Sequence, residues 1–219
     1  MIKINNLLDI SKTITSEHFE GKIYPWEALE GIGELILRIG SELSEEEFNH
    51  PEEGVWIAKD ATVYPSAYIK APCIIDKGAE VRHCAFIRGN AIIGKGAVVG
   101  NSTELKNVIL FDGVQVPHYN YVGDSILGYK AHMGAGSITS NVKGDKTKVV
   151  IKNGDEHIAS GRKKLGAILG DFAEIGCGSV LNPGTIIGRN TQIYPLSSVR
   201  GVVPENSIYK SNNDIVSKR

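Results

Sequence analysis

The sequence predicts an all-β domain in which short parallel strands wind into a β-helix, preceded by an N-terminal helical arm. Two observations predict the β-helix: large aliphatic residues recur at every sixth position over most of the chain, and a small residue stands two positions before most of them. A third observation, one amphipathic segment ahead of the repeat, predicts the arm. A fixed internal period indicates the fold strongly, because each repeat buries its apolar side only against its neighbours.

The composition fits one sizeable domain with an appendage, since the chain has 219 residues. Its 24 lysines and arginines nearly balance 25 aspartates and glutamates, which gives no indication of nucleic acid or a membrane surface as partner. The sequence has neither a signal peptide nor the roughly 18 consecutive apolar residues of a membrane span, so we expect a cytoplasmic protein. Three scattered cysteines favour free thiols over disulfides or a zinc site.

The predicted arm covers residues 1–50. Pro25 can occupy the first position of a helix. The aliphatic residues after it, at spacings of three and four, are Leu29, Ile32, Ile36, Ile39 and Leu43. This spacing predicts one amphipathic helix of about five turns. Because Gly31 and Gly33 each lower its stability by about 1 kcal/mol, we expect the helix to pack on the main domain or on a neighbouring subunit.

The six-residue repeat defines the main domain, residues 51–205, and is followed by a tail, residues 206–219. Its first large aliphatic positions are Ile57, Val63, Ile69, Ile75, Val81, Ile87, Ile93, Val99, Leu105 and Phe111. The spacing returns later at Leu169, Ile175, Leu181, Ile187, Ile193 and Val199. Since residues two apart on a strand face the same side, these aliphatics and their small partners should point inward. Three strands then close a triangular coil, and stacked coils form three parallel sheets around an aliphatic core.

The spacing changes between Val116 and Asn141, where the step from Val122 to Leu127 is five. Such a change displaces a corner of the coil and exposes the segment before it, which carries His118. The period is then lost over about residues 142–164, a loop rich in lysine. Insertions in repeat proteins often lie on the binding face. A polar hairpin without function is the alternative.

Lys70, Arg88 and Lys106 stand 18 residues apart, each directly after an inward aliphatic. Residues at this spacing stack at the strand separation of about 4.8 Å, so we expect three cations in a row on one face. Like charges paired across strands are destabilising, and a bound phosphate would relieve the repulsion. The row is therefore either a solvated surface or an anion site.

These features together resemble the hexapeptide-repeat acyltransferase family, whose fold is a left-handed parallel β-helix. The resemblance is most specific to the acetyltransferase domain of bifunctional glucosamine-1-phosphate acetyltransferases/uridylyltransferases and to archaeal sugar-1-phosphate acetyltransferases. The segments that carry it are IRGNAIIGKGAVVGNSTELKN (87–107), PHYNYVGDSILG (117–128), MGAGSITSN (133–141) and SGRKKLGA (160–167).

The resemblance implies transfer of acetyl from acetyl-CoA to the amine of glucosamine 1-phosphate or galactosamine 1-phosphate in nucleotide-sugar biosynthesis, without a metal. His118 would be the general base, because histidine changes charge near neutral pH. A backbone N–H of the Gly-Ala-Gly turn would bind the oxyanion. The sugar phosphate would be bound by Arg88, Lys106, Tyr121, Asn141 and Lys146, with Lys148 as the alternative to Lys146. Acetyl-CoA would contact Ala135, Cys177 and Pro195.

The family also implies a homotrimer with a coenzyme groove between subunits. The nucleotidylyltransferase domain that precedes the acetyltransferase in the relatives is not found in this sequence, so a separate nucleotidylyltransferase is a candidate partner. The sequence departs from the family pattern at three places. Gly89 and Asn90 follow Arg88 in place of proline and glycine, His132 replaces an asparagine, and a small Gly-Ala pair is lost near Tyr194 and Pro195.

Two other functions stay open at this point. A non-catalytic β-helix that binds a sugar phosphate or nucleotide sugar, and regulates or scaffolds a separate nucleotidylyltransferase, would account for the changes at His132 and Pro195. A gamma-class carbonic anhydrase needs three zinc histidines, two of them about five residues apart. His83 and His118 could form a pair, but the residue five after His118 is Gly123.

Overall fold

The structure, a computed structural model, describes residues 2–212 and 214–218. It is a β-solenoid of short strands with short helices near the N-terminus, so the predicted β-helix is confirmed. Strands of neighbouring coils pair in parallel, 16 to 18 residues apart where no insertion intervenes. No helix among these described residues is long and apolar enough to cross a membrane.

The solenoid has three flat faces, each a stack of strands. The strands of face 1 are Val55–Ala58, Cys73–Ile75, Ala91–Ile93, Ala167–Leu169, Thr185–Ile187 and Val202–Val203. Those of face 2 are Thr62–Val63, Glu80–Val81, Val98–Asn101, Gln115–His118, His132–Met133, Glu174–Ile175, Gln192–Ile193 and Ser207–Ser211. Those of face 3 are Tyr68–Ile69, Phe86–Ile87, Ile138–Thr139, Val180–Leu181 and Ser198–Val199. Two longer strands, Glu104–Leu110 and Tyr121–Leu127, run from face 3 round a corner into face 1.

Antiparallel strands cover the two ends of the solenoid. Phe48–Glu52 pairs with Val55–Ala58 at the first coil. Asp214–Ser217 pairs with Ser207–Ser211 at the last. From the second coil onward the inward positions of the three faces are almost completely buried and, apart from Thr139, hydrophobic, which gives one continuous core along the axis.

The first step of five residues between inward positions occurs one coil earlier than the sequence spacing predicts. Ile93 pairs with Leu110, which pairs in turn with Leu127, so the step from Leu105 to the next inward residue is already five. The predicted inward position of Phe111 is therefore wrong. Phe111 is buried outside the repeat register, where its ring meets Phe19 of the arm edge to face at a centroid distance of 5.6 Å.

Each shortened coil turns the corner between faces 3 and 1 with one residue in place of two. In an ordinary coil Gly89 (φ 89°) and Asn90 (φ 51°) make this corner. In the shortened coils Asn107 (φ 55°) or Asp124 (φ 48°) makes it alone. Among residues with a side chain, asparagine and aspartate tolerate this left-handed backbone best, because the short polar group can hydrogen-bond locally.

Face 1 is covered on its outer side as well. Its outward central residues, at most 1% exposed, are Ile74, Ile92, Ile109, Ile126, Ile168 and Ile186. Such strands, apolar on both sides, require a second covering layer. The arm supplies it over the early coils, and the inserted hairpin, with buried Val149 and Ile151, over the later ones.

The arm contains two α-helices, α1 (Ile4–Leu7) and α2 (Ile32–Glu42), with 3₁₀ turns at Ile10–Lys12, Ser16–Phe19 and Pro25–Leu29. The predicted single helix from Pro25 to Leu43 is therefore wrong. Gly31, with a φ of 67°, separates the 3₁₀ turn from α2. Gly40 allows α2 to approach face 1, since an added Cβ would lie 2.4 Å from the Trp56 ring.

The insertion leaves and rejoins the solenoid at the corner between faces 3 and 1. Its two strands, Val150–Asn153 and Glu156–Ala159, form an antiparallel hairpin. An isolated antiparallel bridge between Val142 and Lys164 closes its base. The insertion therefore starts directly after Asn141, a predicted sugar-binding residue.

Candidate functional site

Four predicted residues form a column at the corner between faces 2 and 3. His118, Ala135, Cys177 and Pro195 each lie two positions after an inward residue of face 2, in successive coils. Main-chain hydrogen bonds connect the column: Gly136 N–H to His118 O (3.1 Å), Gly178 N–H to Ala135 O (2.8 Å) and Leu196 N–H to Cys177 O (2.8 Å). Because coils are about 4.8 Å apart, the three predicted coenzyme-binding residues lead away from the predicted base along one line.

His118 is exposed at the end of its strand. Its main-chain N–H donates to the Asn120 side-chain oxygen at 3.1 Å, and the Asn120 amide donates to Gly134 O at 2.8 Å. Buried Asn120, which the sequence analysis did not single out, thus fixes the His118 corner to the Gly-Ala-Gly turn. In the part of the chain that the structure describes, the imidazole itself has no hydrogen bond, so both ring nitrogens can interact with reactants.

The turn after Met133 packs tightly on the next coil. A Cβ added at Gly134 would lie 2.8 Å from Cys177 N and 3.0 Å from Cys177 Sγ. Gly134 N–H donates to Ile175 O at 2.7 Å, and Gly136 N–H donates to His118 O. Ala135 N–H has no main-chain acceptor within residues 2–212 and 214–218. Of the three turn amides it is therefore the one available to a developing oxyanion.

A second group of predicted residues converges on Asp124, at the opposite edge of face 3. Lys106 Nζ lies 3.1 Å from Asp124 Oδ1, and the amide nitrogens of Asn107 and Asn141 donate to the carboxylate at 2.9 and 2.6 Å. Asn141 also donates to the Tyr121 hydroxyl at 3.2 Å. The Asp124 side chain is only 4% exposed, so it orients these groups without facing solvent.

Asp124 is not among the site residues predicted from the sequence. Asn107, Asp124 and Asn141 are 17 residues apart and take the same corner position in three successive coils. A spacing of 17 could have identified this stack, but the expected spacing of 18 concealed it. Burial raises the pKa of the Tyr121 phenol, so its hydroxyl is protonated at neutral pH.

The predicted row of Lys70, Arg88 and Lys106 is present, since Ile69, Ile87 and Leu105 pair in register. Two of the cations are compensated by carboxylates. Arg88 Nη1 lies 2.6 Å from Glu104 Oε1, and Lys106 pairs with Asp124. The hydrogen bond to Glu104 raises the pKa of Arg88. With its side chain 45% exposed, Arg88 keeps further N–H donors for an anion.

Lys146 lies on the exposed turn of the insertion, where its N–H donates to Lys143 O at 3.0 Å. Its side chain has no ion pair or hydrogen bond with any described residue, and none connects it to Arg88 or Lys106. Lys148 is exposed on the same segment. A phosphate contact from this loop stays a prediction.

Two departures from the family pattern, at His132 and Pro195, lie on face 2 and its edge. His132 Nδ1 is 2.8 Å from Glu174 Oε2, in the row beside the column that His118 begins. His132, Cys177 and Pro195 line a shallow pocket of about 340 Å³ with a mainly apolar surface. The two histidines considered for a zinc site do not lie on neighbouring coils, because His83 lies two coils from His118 with Asn101 between them. Strands two coils apart are about 9.6 Å apart, whereas a zinc ligand atom lies within about 2.1 Å of the metal, so the strands do not place these histidines side by side around one zinc ion.

Comparison with known proteins supports the resemblance. A family model described as the GMPPB C-terminal domain matches residues 69–156. The bifunctional protein GlmU of Methanococcus maripaludis is 36% identical over 122 residues, which are 55% of this chain and 29% of that protein. The bifunctional sugar-1-phosphate nucleotidylyltransferase/acetyltransferase of Sulfurisphaera tokodaii is 34% identical over 112 residues, 51% of this chain and 28% of that protein. The chain spans less than a third of these relatives, and the predicted resemblance to them is confirmed.

Two solved structures are similar to this chain at a lower level. PerB from Caulobacter crescentus, in complex with CoA and GDP-perosamine, is 19% identical with a TM-score of 0.35, over 70% of this chain and 52% of that one. The acetyltransferase domain of PglB from Neisseria gonorrhoeae, in complex with acetyl coenzyme A, is 18% identical with a TM-score of 0.35, over 85% and 67%. Similarity at this level carries no inference about the ligands of this chain.

Proposed function

We propose that this hexapeptide-repeat β-helix chain, which resembles the acetyltransferase part of bifunctional sugar-1-phosphate enzymes, transfers acetyl from acetyl-CoA to the amine of an amino-sugar 1-phosphate. One observation carries the proposal. The exposed His118 begins a column that continues through Ala135, Cys177 and Pro195, while the opposite edge of the same face holds Lys106, Tyr121 and Asn141 around Asp124. A base and a sugar-phosphate site thus border one surface.

His118 would act as the general base. It takes the proton from the sugar amine as the nitrogen attacks the thioester carbonyl, because only the neutral amine is nucleophilic. The amide N–H of Ala135 donates to the oxygen that gains negative charge. When the carbon–sulfur bond breaks, His118 returns its proton to the departing thiolate. The products are an N-acetyl sugar 1-phosphate and coenzyme A.

Arg88 and Lys106 would bind the phosphate of the acceptor. Arg88 offers the planar donors that suit phosphate, and Lys106 is held in place by Asp124. Tyr121 and Asn141 would hydrogen-bond the sugar hydroxyls. His118 and Asp124 are six residues apart in the sequence and lie at opposite edges of face 3, at the ends of different strands. Six residues span at most about 20 Å, which the bound acceptor and the long cationic side chains together must bridge.

We further propose a homotrimer in which a second copy covers the coenzyme column. Bulky residues exposed beside the column support this, since Tyr119, Tyr194 and Leu196 are 60, 44 and 85% exposed. A cluster of exposed apolar residues on a folded domain is typical of an interaction surface. Sedimentation equilibrium should give three times the monomer mass, and a monomer at micromolar concentration would contradict the trimer.

A second candidate function is binding without turnover, in support of a separate nucleotidylyltransferase. Its specific support is that Asp124 already neutralises Lys106, and that His132 pairs with Glu174 where relatives have an asparagine. Under this alternative the sugar phosphate or nucleotide sugar is a ligand, and His118 has no chemical role.

A thiol-release assay separates the two functions. Wild-type protein with acetyl-CoA and a panel of amino-sugar 1-phosphates should release coenzyme A, and His118→Ala should lower kcat by about 10² to 10⁴-fold. His157→Ala, which removes an exposed histidine of the inserted hairpin, is the matched control. His118→Ala should still bind the sugar phosphate in calorimetry. Full activity of that variant would refute the base, and sugar-phosphate binding without thiol release in the wild type would establish the alternative.

A further inference from the structure

A second group of cations lies on face 3, beyond the residues that the proposed reaction uses. The inserted hairpin and this face enclose a cleft of about 460 Å³, whose polar lining includes Ser140, Lys143, Lys152, Asn182 and Arg200. Arg200 stands in the same outward row as Lys106, four coils further along the axis. At about 4.8 Å per coil the two positions are about 19 Å apart, so this cleft is separate from the Arg88–Lys106 pair.

Close main-chain packing brings Lys152 and Arg200 together. Gly201 has a φ of 80°, and a Cβ added there would lie 2.8 Å from Lys152 O. The hairpin strand and the last corner of face 3 are therefore in direct contact, with one cation on each. Both side chains are exposed, and neither forms an ion pair with a described residue.

Asp145, the carboxylate in the described lining of the cleft, already has hydrogen-bond and ion-pair partners. Asp145 accepts the Thr147 N–H at 3.0 Å and the Thr147 hydroxyl at 2.8 Å, and it pairs with Lys143 at 3.1 Å. These hydrogen bonds lower the pKa of Asp145 to about 2. Asp145 therefore neutralises Lys143, and the charges of Lys152 and Arg200 are left without a counter-charge.

We propose that this cleft binds the phosphate groups of a nucleotide. Two like charges on abutting segments repel each other, and a phosphate between them converts the repulsion into two charge-assisted hydrogen bonds. The Arg200 guanidinium can bind phosphate oxygens in pairs, Lys152 adds a point charge, and the Ser140 hydroxyl adds a neutral donor. The volume lies in the range of small-molecule and cofactor sites.

Two nucleotides fit this chemistry. If the ligand is coenzyme A, the cleft takes part in the proposed reaction, and this assignment rests on the proposed function. A nucleoside diphosphate sugar would instead bind as a separate ligand. The phosphate site itself does not depend on acetyl transfer. Absence of thiol release from the wild-type protein would refute the proposed function and leave the binding measurements below unchanged.

Isothermal titration calorimetry with inorganic pyrophosphate at low ionic strength tests the site. The double variant Lys152→Ala, Arg200→Ala should bind pyrophosphate at least about tenfold more weakly than the wild type. This factor corresponds to the free energy of one charge-assisted hydrogen bond. Arg38→Ala, which removes an exposed arginine of α2, should bind like the wild type. Arg200→Lys should fall between, because it keeps the charge and loses the planar fork. Equal affinity of the double variant and the wild type, or no binding by the wild type, would overturn the proposal.

Competition identifies the nucleotide. Coenzyme A or a uridine diphosphate sugar should displace pyrophosphate from the wild type, and displacement by either one supports a nucleotide site while naming its source. Pyrophosphate binding that neither compound displaces would refute the nucleotide assignment. Circular dichroism and thermal unfolding of the variants establish that each is folded, and both side chains are exposed, so neither substitution should affect folding.

Discussion

The two edges of face 3 are built in opposite ways. At one edge His118 is exposed, and its ring makes no hydrogen bond within the described residues. At the other, Asp124 is buried and receives hydrogen bonds from Lys106, Asn107 and Asn141. The first arrangement leaves a side chain free to exchange protons, and the second fixes cations and amides in place. Under the proposed function, positioning and reactivity would therefore belong to separate corners of one coil.

The covering segments explain the difference. Both corners are turned by a residue with positive φ, Tyr119 at 38° and Asp124 at 48°, but the arm and the insertion cover the far side of the Asp124 corner. The His118 corner has no such cover, and its neighbours Tyr119 and Leu196 are 60 and 85% exposed. A corner that is left uncovered is available to reactants or to another subunit.

The largest expected effect tests whether the open edge nevertheless has a rigid backbone. A Cβ added at Gly100 would lie 1.5 Å from Pro117 O, directly beside His118. No local adjustment relieves such an overlap with main chain, so Gly100→Ala should destabilise the protein by more than about 4 kcal/mol or prevent folding. Gly144→Ala, at a glycine with nothing within 4 Å, should leave urea unfolding unchanged. Equal midpoints for the two variants would contradict a rigid corner.

The next effect compares the two edges directly. Asp124→Ala leaves Lys106, the buried Asn107 amide and the half-buried Asn141 amide without their acceptor, so it should lower the free energy of unfolding by about 3 kcal/mol. His118→Ala should change it by less than about 0.5 kcal/mol, because the ring makes no contact that stability requires. Chemical denaturation of both variants measures the contrast. If His118→Ala were as destabilising as Asp124→Ala, the separation of positioning from reactivity would be wrong.

The smallest effect concerns the third corner, between faces 1 and 2. Burial raises the pKa of Asp76 from its ordinary value of 3.8, and its Oδ2 has no hydrogen bond in the described structure. A carboxyl whose folded pKa is raised destabilises the native state at pH values above the folded pKa, and this cost disappears as the pH falls through the folded pKa toward 3.8.

Asp76→Asn should therefore stabilise the protein at pH 7, by about 1 kcal/mol. The gain should vanish below about pH 4, where both folded and unfolded wild type are protonated. Thermal unfolding of the two proteins across this range measures the effect. A gain that is the same at pH 7 and pH 3.5 would show that packing, and not the buried charge, is responsible.

The fold followed from the period of the sequence, because an inward aliphatic every sixth residue has few physical alternatives. The column of His118, Ala135, Cys177 and Pro195 follows from counting coils once that fold is known. Asp124 was missed because Leu110 and Phe111 are both apolar, and spacing alone could not tell which of them points inward. The break in the arm helix at Gly31 depends on packing that the helical pattern does not encode.

The covering of face 1 restricts how copies of this chain can meet. A triangular solenoid has three faces that can contact other copies, but here the arm and the inserted hairpin of the same chain cover face 1 and its continuous row of isoleucines. Among the described residues, face 2 and the part of face 3 that the hairpin leaves free remain exposed, and these two faces share one edge. Copies that pack side by side through these two faces would place their shared edge, which carries His118, at the interface between subunits. The N-terminal arm would then help to decide where the proposed active sites form.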